Sequence, residues 1–263
     1  MSRACKSLVL VLGCLLLAGC AETRTAPAPF TLAWLGDRQD QRFSGHEALT
    51  EKVRNSFVQI TVLDPSAPKP GEAEYEGRPI VSGASGVIID RRGYVVTAAH
   101  IARSTAFTAE VTTWDGTIHQ ARILDVDTQQ ELALLLMEPV PNLDAASLAV
   151  PGSLHKGDPV IAIGAPDNKP GVVSLGFVVE PRWPHRITYD SDQFGFDDGV
   201  KLSIDAEPGN SGGPAFDWQG GLIGILAGFV LGNESSVNYI PPRLAYLVPA
   251  ATIRRYLTRL LPP

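Results

Sequence analysis

From Phe57 onward the chain is a succession of short apolar runs separated by turn residues. FVQITVL (57–63), SGVIID (85–90), YVVT (94–97), FTAEVTTW (107–114) and TIHQARILDV (117–126) are rich in β-branched residues, with Arg92-Gly93 and Asp115-Gly116 as turn signals between them. PVIAIG (159–164), GVVSLGFVVE (171–180), VKLSI (200–204), GPAFD (213–217) and GLIGILAGFV (221–230) continue the pattern. Such a series, with few helices, predicts an all-β protein, either an antiparallel sandwich or a pair of barrels.

Helical spacing occurs in two places only. Ser44 to Glu47 reads S-x-x-E, the pattern of a capping box, and Leu49, Val53 and Phe57 then recur at intervals of four. At the other end, Pro249 precedes a stripe of Ile253, Tyr256, Leu257, Leu260 and Leu261, which predicts a closing helix packed on a core. Residues 20–42, rich in Ala, Pro, Thr and charge, read as a tether to a folded unit over 43–263. Residues 64–79 and 181–199 read as long polar loops, which in a compact β domain are usually functional or mobile.

One run breaks its own pattern. QQELALLL (129–136) opens an apolar strand with a carboxylate, Glu131. A charge at the mouth of a buried strand costs several kcal/mol unless it is paired, so Glu131 either stays in solvent or has a partner.

Composition changes the picture at the N-terminus. Arg3 and Lys6 precede LVLVLGCLLLA (8–18), which falls short of the roughly 20 residues that span a bilayer and reads as the core of a signal peptide. It ends in LAGC, Leu17 to Cys20, which resembles the lipobox of bacterial lipoproteins. That resemblance implies removal of residues 1–19, lipidation of Cys20, and an anchored protein facing the periplasm, with Ala21 pointing to the outer membrane. Cleavage would also remove Cys5 and Cys14, so with Cys20 lipidated no thiol is left for a disulfide. The net charge is −6 for the whole chain and becomes two units more negative once Arg3 and Lys6 are gone. With no Lys/Arg-rich tract, that charge argues against a nucleic-acid partner.

The strongest chemical lead is GNSGGPAF, Gly209 to Phe216. Glycines on both sides of Ser211 uncover its hydroxyl and allow the tight backbone that aims successive N–H groups at one point. The same residues satisfy G-x-S-x-G, the nucleophile elbow of α/β-hydrolases, but that arrangement needs a histidine after the serine. All five histidines (His46, His100, His119, His155 and His185) precede Ser211, and Pro214 with the following turn indicates strand–turn–strand. Among the five, His100 in YVVTAAHIAR follows a β run in a small-residue segment able to present an imidazole. His119 lies in an alternating strand, and His155 and His185 lie in loops.

Together GASGVIIDRRGYVVTAAHIAR, DTQQELALLL and DAEPGNSGGPAFDWQGGLIGI resemble the three blocks of trypsin-like serine proteases, most closely the HtrA (Deg-type) branch. The resemblance runs from about Phe57 to Leu261. It implies two six-stranded antiparallel β-barrels with a C-terminal helix, and a polypeptide substrate cut through an acyl-enzyme. It also implies His100 as general base, Glu131 as the acid, Ser211 as nucleophile, and the N–H groups of Gly209 and Ser211 as oxyanion hole. Asp205 and Ala227 fall at the implied substrate pocket, where Asp205 would favour basic P1 residues. No metal or organic cofactor is implied.

The chain departs from the family pattern in three ways. Glutamate stands where the family has aspartate, and no PDZ domain follows the terminal helix. The segment before the serine is also short. The first departure motivates a second reading, a peptide-binding pseudoprotease acting as a lipid-anchored scaffold.

Overall fold

The computed structural model describes residues 29–35, 40–66, 74–75, 78–138, 140–141, 143–189, 193–230 and 244–261. The expected pair of barrels is present. In the first, β2 (Phe57–Leu63), β4 (Arg78–Asp90), β5 (Tyr94–Thr97), β6 (Thr108–Thr112), β7 (Ile118–Asp127) and β8 (Leu132–Met137) pair in the order β2-β6-β7-β8-β5-β4. A β2–β4 pairing closes it, and the short β3 (Glu74–Tyr75) adds to β4. In the second, β9 (Pro159–Gly164), β10 (Val172–Trp183), β13 (Gly199–Ile204), β14 (Pro214–Asp217), β15 (Leu222–Val230) and β16 (Leu244–Pro249) run β10-β13-β16-β15-β14-β9, closed by β10–β9.

Period-2 alternation explains how the barrels fill and meet. Along β8, Ala133, Leu135 and Met137 point into the first barrel with Val58, Ile60, Val62, Val95 and Val111. The alternate residues Leu132 and Leu134 point the other way, into a cluster shared with Ile161, Ile163, Phe216, Ile225 and Val248 of the second barrel. Strand β9 does the same in mirror fashion, with Val160 and Ala162 filling the second barrel. LALLL is therefore continuous because both of its faces are buried. Each fully buried Leu of this kind contributes about 1.5–3 kcal/mol.

Helix α3 (Ala250–Leu260) follows β16 without a break, and its Ile253 and Tyr256 seal the same inter-barrel cluster. The connecting segment crosses between barrels by backbone hydrogen bonds: the Ala146 N–H donates to Ile88 O at 2.8 Å, and Ser147 O accepts from Leu222 N–H at 2.8 Å.

Three local expectations are corrected. Residues 29–35, read as part of a tether, are built into the fold. Strand β1 (Ala33–Leu35) pairs in parallel with Val172–Ser174 of β10, while Phe30 packs edge-on against Phe57 and Trp114 of the first barrel. The S-x-x-E box does not cap its helix. Helix α1 (His46–Val53) starts from Gly45 at φ 87°, and the Ser44 N–H instead closes a preceding 3-10 turn on Gln41 O. Finally, much of the 181–199 loop is a hairpin, β11 (Ile187–Tyr189) and β12 (Phe194–Phe196).

Candidate active site

His100 sits on α2 (Ala99–Ala102), a single helical turn begun as β5 ends. Its neighbours Ala98, Ala99 and Ala102 are buried, which lets the turn lie flat against the barrel wall. The imidazole is partly exposed, its side chain 21% accessible, and Phe194 of the β11–β12 hairpin meets it edge-on with ring centroids 6.2 Å apart.

Glu131 is completely buried. It is the last of four loop residues between β7 and β8, where Asp127 faces Leu132 across the ladder, and it takes the left-handed conformation at φ 57°. For a non-glycine residue that conformation costs about 1–2 kcal/mol. The surroundings enforce it. Asp127 Oδ1 accepts from the N–H groups of Gln129 and Gln130, and its Oδ2 accepts from Gln130 Nε2 at 2.8 Å and from Arg259 of α3 at 3.0 Å. Burial opposes ionisation of Asp127, but these hydrogen bonds outweigh it and hold its carboxyl below the usual carboxylate range. On the other side of the loop, the Gly195 N–H donates to Thr128 O at 3.0 Å, and Arg186 donates to Gln129 Oε1 at 2.9 Å.

The carboxylate so placed meets His100. Glu131 Oε1 lies 2.5 Å from His100 Nδ1 and 3.4 Å from the His100 backbone N. A carboxylate only accepts, so Nδ1 is the donor in this contact. Glu131 Oε2 is buried without a hydrogen-bond partner among the described residues. Asp127, four residues earlier, is taken up by the turn and by Arg259.

Ser211 comes from the second barrel. Gly212, at φ 80°, donates its N–H to Leu226 O at 2.6 Å. A Cβ there would collide with Thr97 Oγ1 and Ser85 O, so the loop lies directly on the strand end that leads to His100. Gly209 is also left-handed, at φ 100°, and a Cβ there would strike the Ala165 carbonyl. Within this loop the Asn210 N–H donates to Glu207 O and the Gly213 N–H to Asn210 O. Those of Gly209 and Ser211 donate to no protein acceptor among the described residues. An imidazole bonded through Nδ1 to a buried carboxylate, a hydroxyl flanked by glycines and two uncommitted N–H groups are the parts an acyl-transfer site requires.

The other residues singled out in the sequence fall elsewhere. Asp205 is exposed one position past β13, and Ala227 is buried in β15 at the bulge between Leu226 and Gly228. His119 contacts Thr113 Oγ1 at 3.3 Å, and the exposed His155 stands 3.6 Å from Asp158. Cys20 and the lipobox lie outside the described residues. The sequence did not single out the buried Ser85, which bonds across to the second barrel, or Thr97, which donates to the Ser85 carbonyl. A serine set among small residues in an otherwise apolar strand was the available signal.

The trypsin-like peptidase domain family matches residues 84–225, a span containing His100, Glu131 and Ser211. The chain belongs to that family. It is 31% identical over 196 residues to a protein of Brucella suis biovar 1 named "Probable periplasmic serine endoprotease DegP-like", covering 74% of this chain and 35% of the relative. A protein of the same name from Bartonella henselae is 29% identical over 209 residues, covering 80% and 39%. "Serine protease HTR4" of Bos taurus is 28% identical over 233 residues, covering 88% and 43%. The chain thus spans between about a third and somewhat over two fifths of the length of these relatives.

Proposed function

We propose that the chain is a serine endopeptidase of the bacterial envelope, cutting polypeptides by way of an acyl-enzyme on Ser211. The observation that carries this reading is the buried Glu131 bonded at 2.5 Å to His100 Nδ1, in a fold whose serine loop leaves two N–H groups uncommitted. In the first step His100 Nε2 takes the proton of the Ser211 hydroxyl as Oγ attacks the peptide carbonyl carbon. The oxygen gains negative charge and is met by the N–H groups of Gly209 and Ser211. The imidazolium formed at His100 is offset by Glu131, whose charge is fully desolvated and so acts at short range in a low dielectric. His100 then passes the proton to the leaving amine and the acyl-enzyme remains. Water attacks it with His100 again as base, which releases the new carboxyl terminus and restores Ser211.

Asp205 is exposed, so a carboxylate there would favour a basic P1 side chain by about 1 kcal/mol or less. Ala227 would leave room beside it. The periplasmic names of the bacterial relatives support an envelope location. Lipidation of Cys20 in the outer membrane completes the proposal, and mass spectrometry of the purified N-terminus tests it.

The direct test of the activity is labelling by a serine-reactive fluorophosphonate together with cleavage of an unfolded protein such as casein. Both are expected in the wild type and lost in Ser211→Ala. A folded wild-type protein that neither labels nor cleaves refutes the proposal and favours the pseudoprotease reading.

A further inference from the structure

The peptide planes around Ser211 can be followed one by one. A trans peptide is planar, with its N–H pointing opposite its C=O, so fixing the carbonyl also fixes the direction of the next residue's N–H. Pro208 O accepts from the Asp167 N–H at 3.3 Å, which turns the Gly209 N–H the other way. Asn210 O accepts from the Gly213 N–H at 2.9 Å, which does the same for the Ser211 N–H. Between them, the Gly209–Asn210 peptide is held at both ends. Its N–H goes to Glu207 O at 3.0 Å, and its carbonyl accepts from the Ser85 hydroxyl at 2.7 Å.

Ser85 holds more than that one carbonyl. It is fully buried in β4. Its hydroxyl also accepts from the Ala165 N–H at 3.0 Å, and its own N–H donates to Ser211 O at 3.0 Å. Its carbonyl accepts from Thr97 Oγ1 at 2.7 Å, three residues before His100. One first-barrel residue thus fixes peptides on both sides of the nucleophile and ties them to the strand end that carries the base.

We propose that Ser85 is a positioning residue for the oxyanion hole. Its hydroxyl locks the Gly209–Asn210 peptide so that the flanking N–H groups of Gly209 and Ser211 converge on the substrate's carbonyl oxygen. This rests on the proposed role of those two N–H groups. Without the hydroxyl, a buried carbonyl and the buried Ala165 N–H both lose a partner, and rotation of the peptide is the relief open to them. Such a change affects the charged tetrahedral state, not the resting substrate, so it acts on kcat and leaves KM unchanged.

The test compares Ser85→Ala and Ser85→Cys with the wild type, well below the melting temperature of each. Peptide-substrate kinetics are measured alongside inhibition by a peptide aldehyde, whose tetrahedral adduct carries the oxyanion. Ser85→Ala is expected to lower kcat and aldehyde affinity together by roughly 10- to 100-fold, with KM within about twofold. The weakly donating thiol of Ser85→Cys is expected to recover part of both. If Ser85→Ala does not fold, Ser85→Cys carries the same comparison. Wild-type kcat and aldehyde affinity in a folded Ser85→Ala, or in Ser85→Cys where Ser85→Ala does not fold, with Ser211→Ala inactive, overturn the role of Ser85 alone. An active Ser211→Ala overturns the underlying mechanism instead.

Discussion

Replacing Glu131 probes the site most sharply, because glutamine and aspartate alter different properties of the same buried side chain. Glutamine keeps the reach and removes the charge. Its amide has two orientations, and both are unfavourable. With oxygen toward His100, the Nδ1–H bond survives but the NH₂ takes the place of the buried Oε2, which has no hydrogen-bond partner among the described residues, and an amide N–H left unpaired there costs about 1–3 kcal/mol of stability. The imidazolium also loses its counter-charge, which for a charge-assisted bond is about 1.5–3 kcal/mol, or roughly 10- to 150-fold in rate. With NH₂ toward His100, the ring is driven to the other tautomer, its proton moves to Nε2, and the loss approaches about 10⁴-fold. Aspartate keeps the charge but withdraws it by one methylene, so a 2.5 Å contact opens beyond hydrogen-bonding distance unless the loop moves inward. It also suits φ 57° better than glutamate does. Glu131→Asp is therefore expected to lose about 10- to 100-fold in kcat/KM and, with its buried charge withdrawn from His100, about 3 kcal/mol of stability, and Glu131→Gln to lose more in kcat/KM. The assay is kcat/KM on a fluorogenic peptide, with melting followed by circular dichroism. A Glu131→Gln enzyme as active as wild type would falsify the assignment of Glu131 as the acid behind His100.

Three further outcomes follow from the packing around the site. Gly212→Ala places a methyl group against Ser85 O and Thr97 Oγ1 at φ 80°; the expected loss is about 3 kcal/mol or more, near 10 °C in Tm, read by thermal melting. Asp127 is ionised more readily in the folded chain than in the unfolded one, so its contribution is full above about pH 4 and fades as pH falls through its lowered native value. Asp127→Asn should accordingly flatten the acid limb of the stability–pH curve measured by urea titration, and an unchanged limb would contradict that. Arg186→Ala removes an exposed brace on Gln129 and should reduce kcat/KM by no more than about fivefold; a loss of 100-fold would mean the hairpin does more than steady the loop.

The barrels were legible because their strands carry dense local signals. LALLL, PVIAIG and FVQITVL could hardly be anything but buried strands, and the three blocks around His100, Glu131 and Ser211 fixed their order. What escaped was set by contacts distant in sequence. Nothing in AWL marks it as a strand, since its partner is 139 residues away at Val172–Ser174 and its neighbour Phe30 depends on Trp114. The β11–β12 hairpin was hidden because most of its stretch is polar; it covers Thr128, Gln129 and His100, and of its residues Phe194 and Phe196 are buried, the latter in the inter-barrel cluster. The left-handed Glu131 gave no glycine to advertise it, and the side-chain hydrogen bonds by which Asp127 shapes the turn leave no pattern in the sequence. The capping box failed because Gly45 began the helix one residue beyond Ser44.

The placement of α3 has a consequence for the order of events during biosynthesis. Synthesis proceeds from the N-terminus, so the strands of the barrel bearing His100 and Glu131 are all made before Ser211 is. Even then the two halves of the site lack their shared floor, because Ile253 and Tyr256 join the inter-barrel cluster only once α3 has been made. On the proposed function, cutting power therefore waits for α3, and a chain still short of Ile253 lacks the packing that joins the two halves of its site.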